Sequence, residues 1–531
     1  MPAFARRHQV LAALTAMLLL LVAAVSVWVR VRMHGPYRDY RVDTEFSSAP
    51  AAATNAPLLA GVAVRDLTPD LTQFDPWTDA DGNSKFEPEK GDTWEDRNGN
   101  GTFDFVWLGG FNINRPAQGV NDPLWARAVA FRHGGVTVGL VSIDCVGLTH
   151  ERFIRARKLL QARGVPLDYV LFSSTHTHNS PDTMGIWSYR PLLSKFNEGY
   201  VEHIIAQACD AVAEAVEKLA PVEVTLASVD LEPEGFVRDS RPPLVYDRQL
   251  HAVRLARAGT DETLATLVCW GNHPESMGGS NPLLSSDFAH YLREAMEQGL
   301  PAPNGMAGFG GTCIYFQGPV GGLMTPLGLH VPDRDGQTVH RDNGVARTRA
   351  LGENLALRSA AALRGPDARR MTNRVIAGVA KTIFAPIEGP FKYPLMLGLI
   401  HPGWYDGKAK TEVAALRVGD LEILSIPGEI YPEIVDGGVE SPDGGDFPGP
   451  PVEVPPLRGQ MRGVQNWAVN LANDEIGYII PRTQWDVKPP FTYGLERAPY
   501  GEVNSGGPDL GPVIHRESLA ALEALHGMTG K

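Results

Sequence analysis

Val136-Thr-Val-Gly-Leu-Val-Ser-Ile143, then Glu151 to Ala162, then Tyr169-Val-Leu-Phe-Ser173 is the stretch on which the fold turns. The first and third are short apolar runs rich in β-branched and aromatic residues, which suits strands; the middle one spaces its apolar residues at helical period. Strand, helix, strand is the repeating unit of an α/β body. The alternation goes on, with helical patterns at Val201 to Leu219, Phe288 to Glu297 and Val345 to Leu363. Strand patterns fall at Val222 to Val229, His251 to Leu255, Leu264 to Trp270, Ile314 to Phe316, Val413 to Val418 and Leu421 to Ile426. The expected fold is therefore α/β, a mixed sheet body with flanking helices, beginning near Leu59.

The bulk numbers agree. A chain of 531 residues with 43% hydrophobic and 21% charged residues buries a large core, and its 42 prolines and 56 glycines imply a loop-rich surface. The formal net charge of -13 opposes a phosphate backbone, and no basic stripe offsets it, so nucleic acid is not an expected partner. Cys145, Cys209, Cys269 and Cys313 are scattered, without the paired spacing of a metal site.

Val10 to Val29 is an almost uninterrupted apolar run flanked by Arg6, Arg7, Arg30 and Arg32, long enough to cross a bilayer. Ser26-Val27-Trp28-Val29 is a poor cleavage site, so residues 1–34 are expected to be a signal anchor in preference to a cleaved signal peptide. Residues 35–58, with the Ala, Ser and Pro of Ser47 to Pro57, read as a tether, and 59–531 as the catalytic domain. The body is expected outside the cytoplasm, membrane-anchored, or secreted if the segment is removed.

Two acidic loops follow. Asp79, Asp81 and Asn83 in the first, and Asp96, Asn98, Asn100 and Asp104 in the second, put oxygen side chains at alternate positions, and the second opens as D-x-N-x-N-G. Lys90 and Trp107 stand where an EF-hand carries its bidentate Glu. Calcium in a structural role is expected here; plain Asx-rich turns are the alternative.

Chemistry-bearing residues gather where strands run into loops. Phe172-Ser-Ser-Thr-His176-Thr-His178-Asn-Ser-Pro181-Asp182 follows one strand, Gly271-Asn-His273-Pro-Glu-Ser-Met277 another, and Pro427-Gly-Glu429 a third. Two imidazoles and a carboxylate with an open position make the ligand set of a catalytic zinc.

These blocks resemble the neutral ceramidases. Thr175-His176-Thr177-His178 with Pro181, His273-Pro274-Glu275-Ser276-Met277 with Ser286-Asp287, Ile426-Pro427-Gly428-Glu429 and Asn473 to Tyr478 occur in family order over most of the chain after Leu59. The resemblance implies zinc ligands at His176, His273, Glu429 and Tyr478, His178 as general acid and base, and Arg241 and Tyr500 as stabilisers of a tetrahedral oxyanion. Some ceramidases of this kind carry a C-terminal β-sandwich; this sequence ends soon after its last motif and is expected to be the catalytic domain alone. The family's Gly-Asp-x-Ser-Pro block is altered to Gly321-Gly-Leu-Met-Thr325-Pro326, lacking the acid and carrying Thr in place of Ser. Asp144, at a strand end, is a candidate to orient a ligand, with a helix cap as the alternative.

The expected activity is zinc-dependent cleavage of an N-acyl amide bond by zinc-activated water, on a lipid-like or small N-acyl substrate. Two alternatives stand beside it: a metal-dependent hydrolase of a soluble N-acyl or ester compound, and an inactive calcium-stabilised surface protein on the same scaffold.

Overall fold

The computed structural model describes residues 2–49, 56–188, 197–389, 392–396, 403–405 and 407–529. Val136–Ile143, His150–Ala162 and Tyr169–Ser174 form the expected strand, helix and strand. The two strands are parallel neighbours, Val138 opposite Tyr169 and Ile143 opposite Ser174. Among the described residues, the long strands assemble into two sheets. The larger has the order Thr312–Gln317, Thr263–Trp270, Gln249–Arg257, Ala220–Asp230, Leu59–Asp66, Trp125–His133, Val136–Ile143, Tyr169–Ser174. The smaller runs Asp43–Ser47, Ile376–Pro386, Lys408–Val418, Leu421–Ser425, Gln465–Val469.

The sheets pack face to face. Leu140, Leu171, Val253 and Leu267 from the first meet Ile376, Leu416, Ile423 and Trp467 from the second in one buried cluster. Helices cover both outer faces. Glu198–Glu217 and His150–Ala162 lie on half of the large sheet, Phe288–Gln298 and Val345–Arg364 on its other half, and Leu510–Thr529 on the small sheet. The result is a four-layer α/β/β/α body. Glu198–Glu217 buries Val201, Ile204, Ile205, Ala208 and Val212, a stripe at helical period, and starts where the Asn197 side chain accepts from Tyr200 N. It rides close over Leu59–Asp66, where a Cβ on Gly61 would stand 2.1 Å from Ala215 O.

Two expectations need correction. The ordered body begins before Leu59, because Asp43–Ser47 is an edge strand antiparallel to Ile376–Pro386, Asp43 opposite Lys381 and Ser47 opposite Ala377. Thr44 and Phe46 alternate with exposed residues on this strand, and Phe46 packs on the core between the sheets. Of the tether read over 35–58, residues 50–55 lie outside the described residues. Asp144 neither caps a helix nor touches a site histidine; its carboxylate takes Arg293 at 2.9 and 3.1 Å, Ser286 Oγ at 2.7 Å and Trp125 N at 2.9 Å. It is a buried strut beside the Ser286-Asp287 turn.

The N-terminal helix spans Pro2–His34, and its apolar part, Leu11–Val31, is exposed rather than buried in the body. All four cysteines are free and buried. Burial pushes the thiols of Cys145, Cys209 and Cys313 up to about 12, which leaves them inert.

Candidate metal centre

Three parallel pairings direct strand ends at one place: Ile143 with Ser174, Trp270 with Gln317, and Ser425 with Val469. Loops leaving the carboxyl ends of parallel strands are where α/β folds build sites. His176 lies two residues past its strand with φ 67°, a left-handed conformation that costs energy for a β-carbon residue and turns the imidazole inward. Its amide donates to Cys145 O at 3.0 Å. His273 lies three residues past Trp270, and Glu429 and Tyr478 sit opposite one another in a two-residue parallel pairing.

All the side chains converge. Nδ1 of His176 faces Val146 O at 2.5 Å and Nδ1 of His273 faces Met324 O at 2.6 Å, so each ring carries its proton there and turns a bare Nε2 inward. His273 Nε2 lies 3.0 Å from Glu429 Oε2, His176 Nε2 3.5 Å from the same oxygen, and Tyr478 Oη 3.4 Å from His273 Nε2. His178 Nε2 is 3.4 Å from His176 Nε2. A tetrahedron of metal–ligand bonds of about 2.0–2.1 Å has edges of roughly 3.3 Å, which is the spacing these atoms keep. The four sequence-expected ligands thus come together, and His178 joins them.

Charge at the centre is divided between the carboxylate and the imidazoles. Burial disfavours charge on His176, yet the Glu429 carboxylate outweighs it and raises the ring to about 9. Glu429 is held well below the usual carboxylate range by His176 and His273, against the opposing effect of burial. A buried carboxylate among neutral imidazoles is a donor set that a divalent cation fits.

His178 has a second tie. Its Nδ1 lies 3.1 Å from Glu275 Oε2, and Thr325 Oγ1 donates to Glu275 Oε1. Burial pushes His178 down to about 4 despite Glu275. Gly110, with φ 94°, backs the ring so closely that a Cβ there would stand 2.3 Å from His178 Cγ. Glu275, which stands within the His273-Pro274-Glu275 block, carries no local signal of this role. Asn473 and Asn470 likewise carry no local signal of theirs. Asn473 clamps Phe172 through N to O at 2.8 Å and Oδ1 from N at 3.0 Å, and Asn470 Oδ1 accepts from Ile430 N at 2.9 Å. They join the Tyr478 loop to the His176 strand and to Glu429.

The centre opens into a cleft whose wall is apolar: Val146, Met184, Ile186, Trp187, Ile387 and Ile476 line it with His176, His178, Glu429, Tyr478 and Tyr500. Tyr500 is at the rim, 58% exposed, its ring edge-on to Tyr478 at 6.1 Å. Arg241 lies outside this lining. It is buried, pairs with Glu502, donates to Pro242 O and Gln484 O at 2.6 Å, and lies over the Tyr431 ring, which meets Tyr478 edge-on.

The acidic loops form one unit. Trp77–Thr78 pairs with Thr93–Trp94, and Phe86, Phe103 and Trp107 pack between the loops. In the first, carboxylates of Asp79, Asp81 and Asp92 lie within 4.8 Å of one another; Asp92 was not foreseen. In the second, Asp96 accepts from Asn100 N and Gly101 N, while the Asn98 and Asn100 amides donate to Asp104 at 2.8 and 2.6 Å.

No protein-family model matches the sequence. Among solved structures, the neutral ceramidase from Pseudomonas aeruginosa superposes with a TM-score of 0.63 at 15% identity, covering 89% of this chain and 75% of that one. The fold is that of the neutral ceramidases. A ceramidase complexed with C2 gives a TM-score of 0.62 at 15% identity, over 89% of this chain and 76% of that one. The ceramidase fold is thus shared across both sheets, at an identity that speaks for architecture alone.

Proposed function

We propose that this chain is a zinc-dependent amidohydrolase that cleaves an N-acyl bond in a lipid-like substrate. The observation that carries the reading is the convergence of inward Nε2 atoms, one carboxylate oxygen and a phenol at the floor of an apolar cleft. The likeness of fold to two structures named as ceramidases supports it.

His176, His273, Glu429 and Tyr478 would hold the ion. A zinc ion so held supplies Lewis acidity and lowers the pKa of a bound water toward ~7. His178, with Nδ1 3.1 Å from the Glu275 carboxylate, turns Nε2 inward to take a proton from the attacking water and return it to the leaving amine nitrogen. Tyr500 Oη, at the rim, donates to the carbonyl oxygen as charge builds on it. Met184, Ile186, Trp187 and Ile476 take the acyl chain and exclude water. Arg241 holds Tyr431 against Tyr478 from outside the cleft. The apolar wall favours a chain-bearing substrate over a soluble N-acyl or ester compound.

Calcium in the paired loops, at Asp79, Asp81 and Asp92 and at Asp96 to Asp104, completes the proposal as a structural ion. The N-terminal helix anchors the body at a membrane outside the cytoplasm. Turnover of ceramide and of an N-acyl amino acid panel, with and without added zinc, tests the chemistry. Hydrolysis that is indifferent to zinc removal would refute it.

A further inference from the structure

The anchor is not joined to the body by a loose tether. The His34 ring stacks on Tyr405 with centroids 4.6 Å apart, and Tyr405 Oη donates to His34 O and Arg38 O at 3.1 and 3.3 Å. Lys410 Nζ donates to Tyr37 O at 2.6 Å, Arg41 lies over the Phe384 ring, and Val42 N donates to Thr382 Oγ1 at 2.7 Å. From there the chain enters the edge strand Asp43–Ser47. Residues 34–47 are thus tied to the body at His34, Tyr37, Arg38, Arg41 and Val42 and along the edge strand.

This docking falls beside the cleft. Trp404–Tyr405 pairs with Lys408–Val418, Trp404 opposite Ala409 and Tyr405 opposite Lys408. Ala409, Ile387 and Leu395 form one small buried cluster, and all three line the cleft. Leu395 belongs to the short helix Lys392–Met396, which also contacts the anchor helix and whose Tyr393 is 64% exposed. The distances are short. Val31, the end of the apolar span, is three residues before His34, about 4.5 Å at helical rise, and one strand spacing of roughly 4.8 Å separates Tyr405 from the strand bearing Ala409. Through the 4.6 Å His34–Tyr405 stack, the cleft wall is at most about 14 Å along this path from the end of the apolar span, near the outer edge of the headgroup layer. Tyr393 stands exposed on the helix that meets the anchor, and Tyr405 stacks on the last residue of the anchor helix, the places where aromatic side chains settle at membrane interfaces.

We infer that the surface made by Lys392–Met396 and Trp404–Tyr405 lies against the bilayer, so that the cleft receives a membrane-resident amphiphile sideways from the lipid and not from water. The inference rests on the anchor crossing a bilayer and deepens the proposed function by naming the route of its substrate.

The test uses the full chain in phosphatidylcholine vesicles. Tyr393→Cys is labelled with an environment-sensitive fluorophore, which is selective because the four native thiols are buried. Lipids carrying a nitroxide on the headgroup should quench the label. A twelve-residue Gly/Ser spacer between Val31 and Arg32, which leaves His34 docked on the body and frees the apolar span, reaches about 20 Å and should abolish that quenching. The spacer should also cut turnover of a vesicle-embedded long-chain N-acyl amide about 10-fold by lowering its effective concentration at the cleft, and leave a water-soluble short-chain N-acyl amide unaffected. An unquenched label without the spacer, or equal quenching and equal vesicle turnover with it, overturns the inference. A quenched, spacer-sensitive label on a protein that hydrolyses neither substrate upholds the surface and defeats the proposed function instead.

Discussion

Glu429 and Tyr478 stand directly opposite each other in a two-residue parallel strand pairing, and both aim at the His273 ring. Backbone pairing fixes their spacing before any ion arrives. Purified protein should therefore hold one zinc per chain, and Glu429→Ala should lose the metal and at least ~100-fold in turnover. Metal analysis of the two proteins decides this. Full zinc retention by Glu429→Ala would remove it from the ligand set.

His178 should separate from the ligands. His178→Ala is expected to keep zinc and lose turnover by a factor of ~100 to 10000, the span of general acid–base catalysis. Its Nε2 is 3.4 Å from His176 Nε2, so loss of zinc equal to that of His176→Ala would make it a third imidazole ligand.

Thr325 touches Glu275 and not the centre. Thr325→Ala should lose about 10-fold in kcat through a looser Glu275 and His178, with zinc unchanged and no acyl-enzyme on mass spectrometry. A trapped acyl group on Thr325, or an inactive variant with zinc in place, would make the hydroxyl a nucleophile.

The paired acidic loops predict a stability effect without a catalytic one. Calcium-selective chelation should lower the melting temperature, and Asp92→Asn should blunt that response. An unchanged melting curve would leave the loops as Asx turns.

Glu433 gives a pH signature away from the centre. It is fully buried, with Gln484 Nε2 at 2.9 Å on one oxygen, and burial pushes it up to about 7. A carboxyl raised in the folded state binds its proton more tightly there than in the unfolded chain. Its contribution therefore falls as pH rises from the ordinary glutamate range through 7. Glu433→Gln should gain stability over the parent by ~1 to 3 kcal/mol at pH 8 and little at pH 4. Denaturant titrations at the two values check the widening gap.

The strands and helices legible in the sequence were those with one clear period, such as Val136–Ile143 and Glu198–Glu217. Trp125–His133 and Ile376–Pro386 escaped because alanines and charged residues dilute their pattern; burial there comes from neighbours on both faces. The site was legible where a strand ended in His or Pro-Gly-Glu. Glu275 was not, because its role comes from a fold-level approach to His178 that no local spacing encodes. Arg241 was read as facing the substrate; its partners Glu502 and Gln484 lie more than two hundred residues away in the chain, and they turn it inward.

His176 and His273 extend from the larger sheet, Glu429 and Tyr478 from loops that follow strands of the smaller one. An ion shared by these four is a rivet through both layers. Its affinity would then be felt by the whole molecule and not by one loop: at a thousand times its dissociation constant, a ligand specific to the native state adds about 4 kcal/mol to global stability. Loss of the metal would loosen the seam between the sheets first, where Leu416 and Trp467 meet Leu140 and Leu267. An enzyme built in this way would report starvation for its metal as a falling lifetime of the protein itself, ahead of any measured decline in rate per molecule.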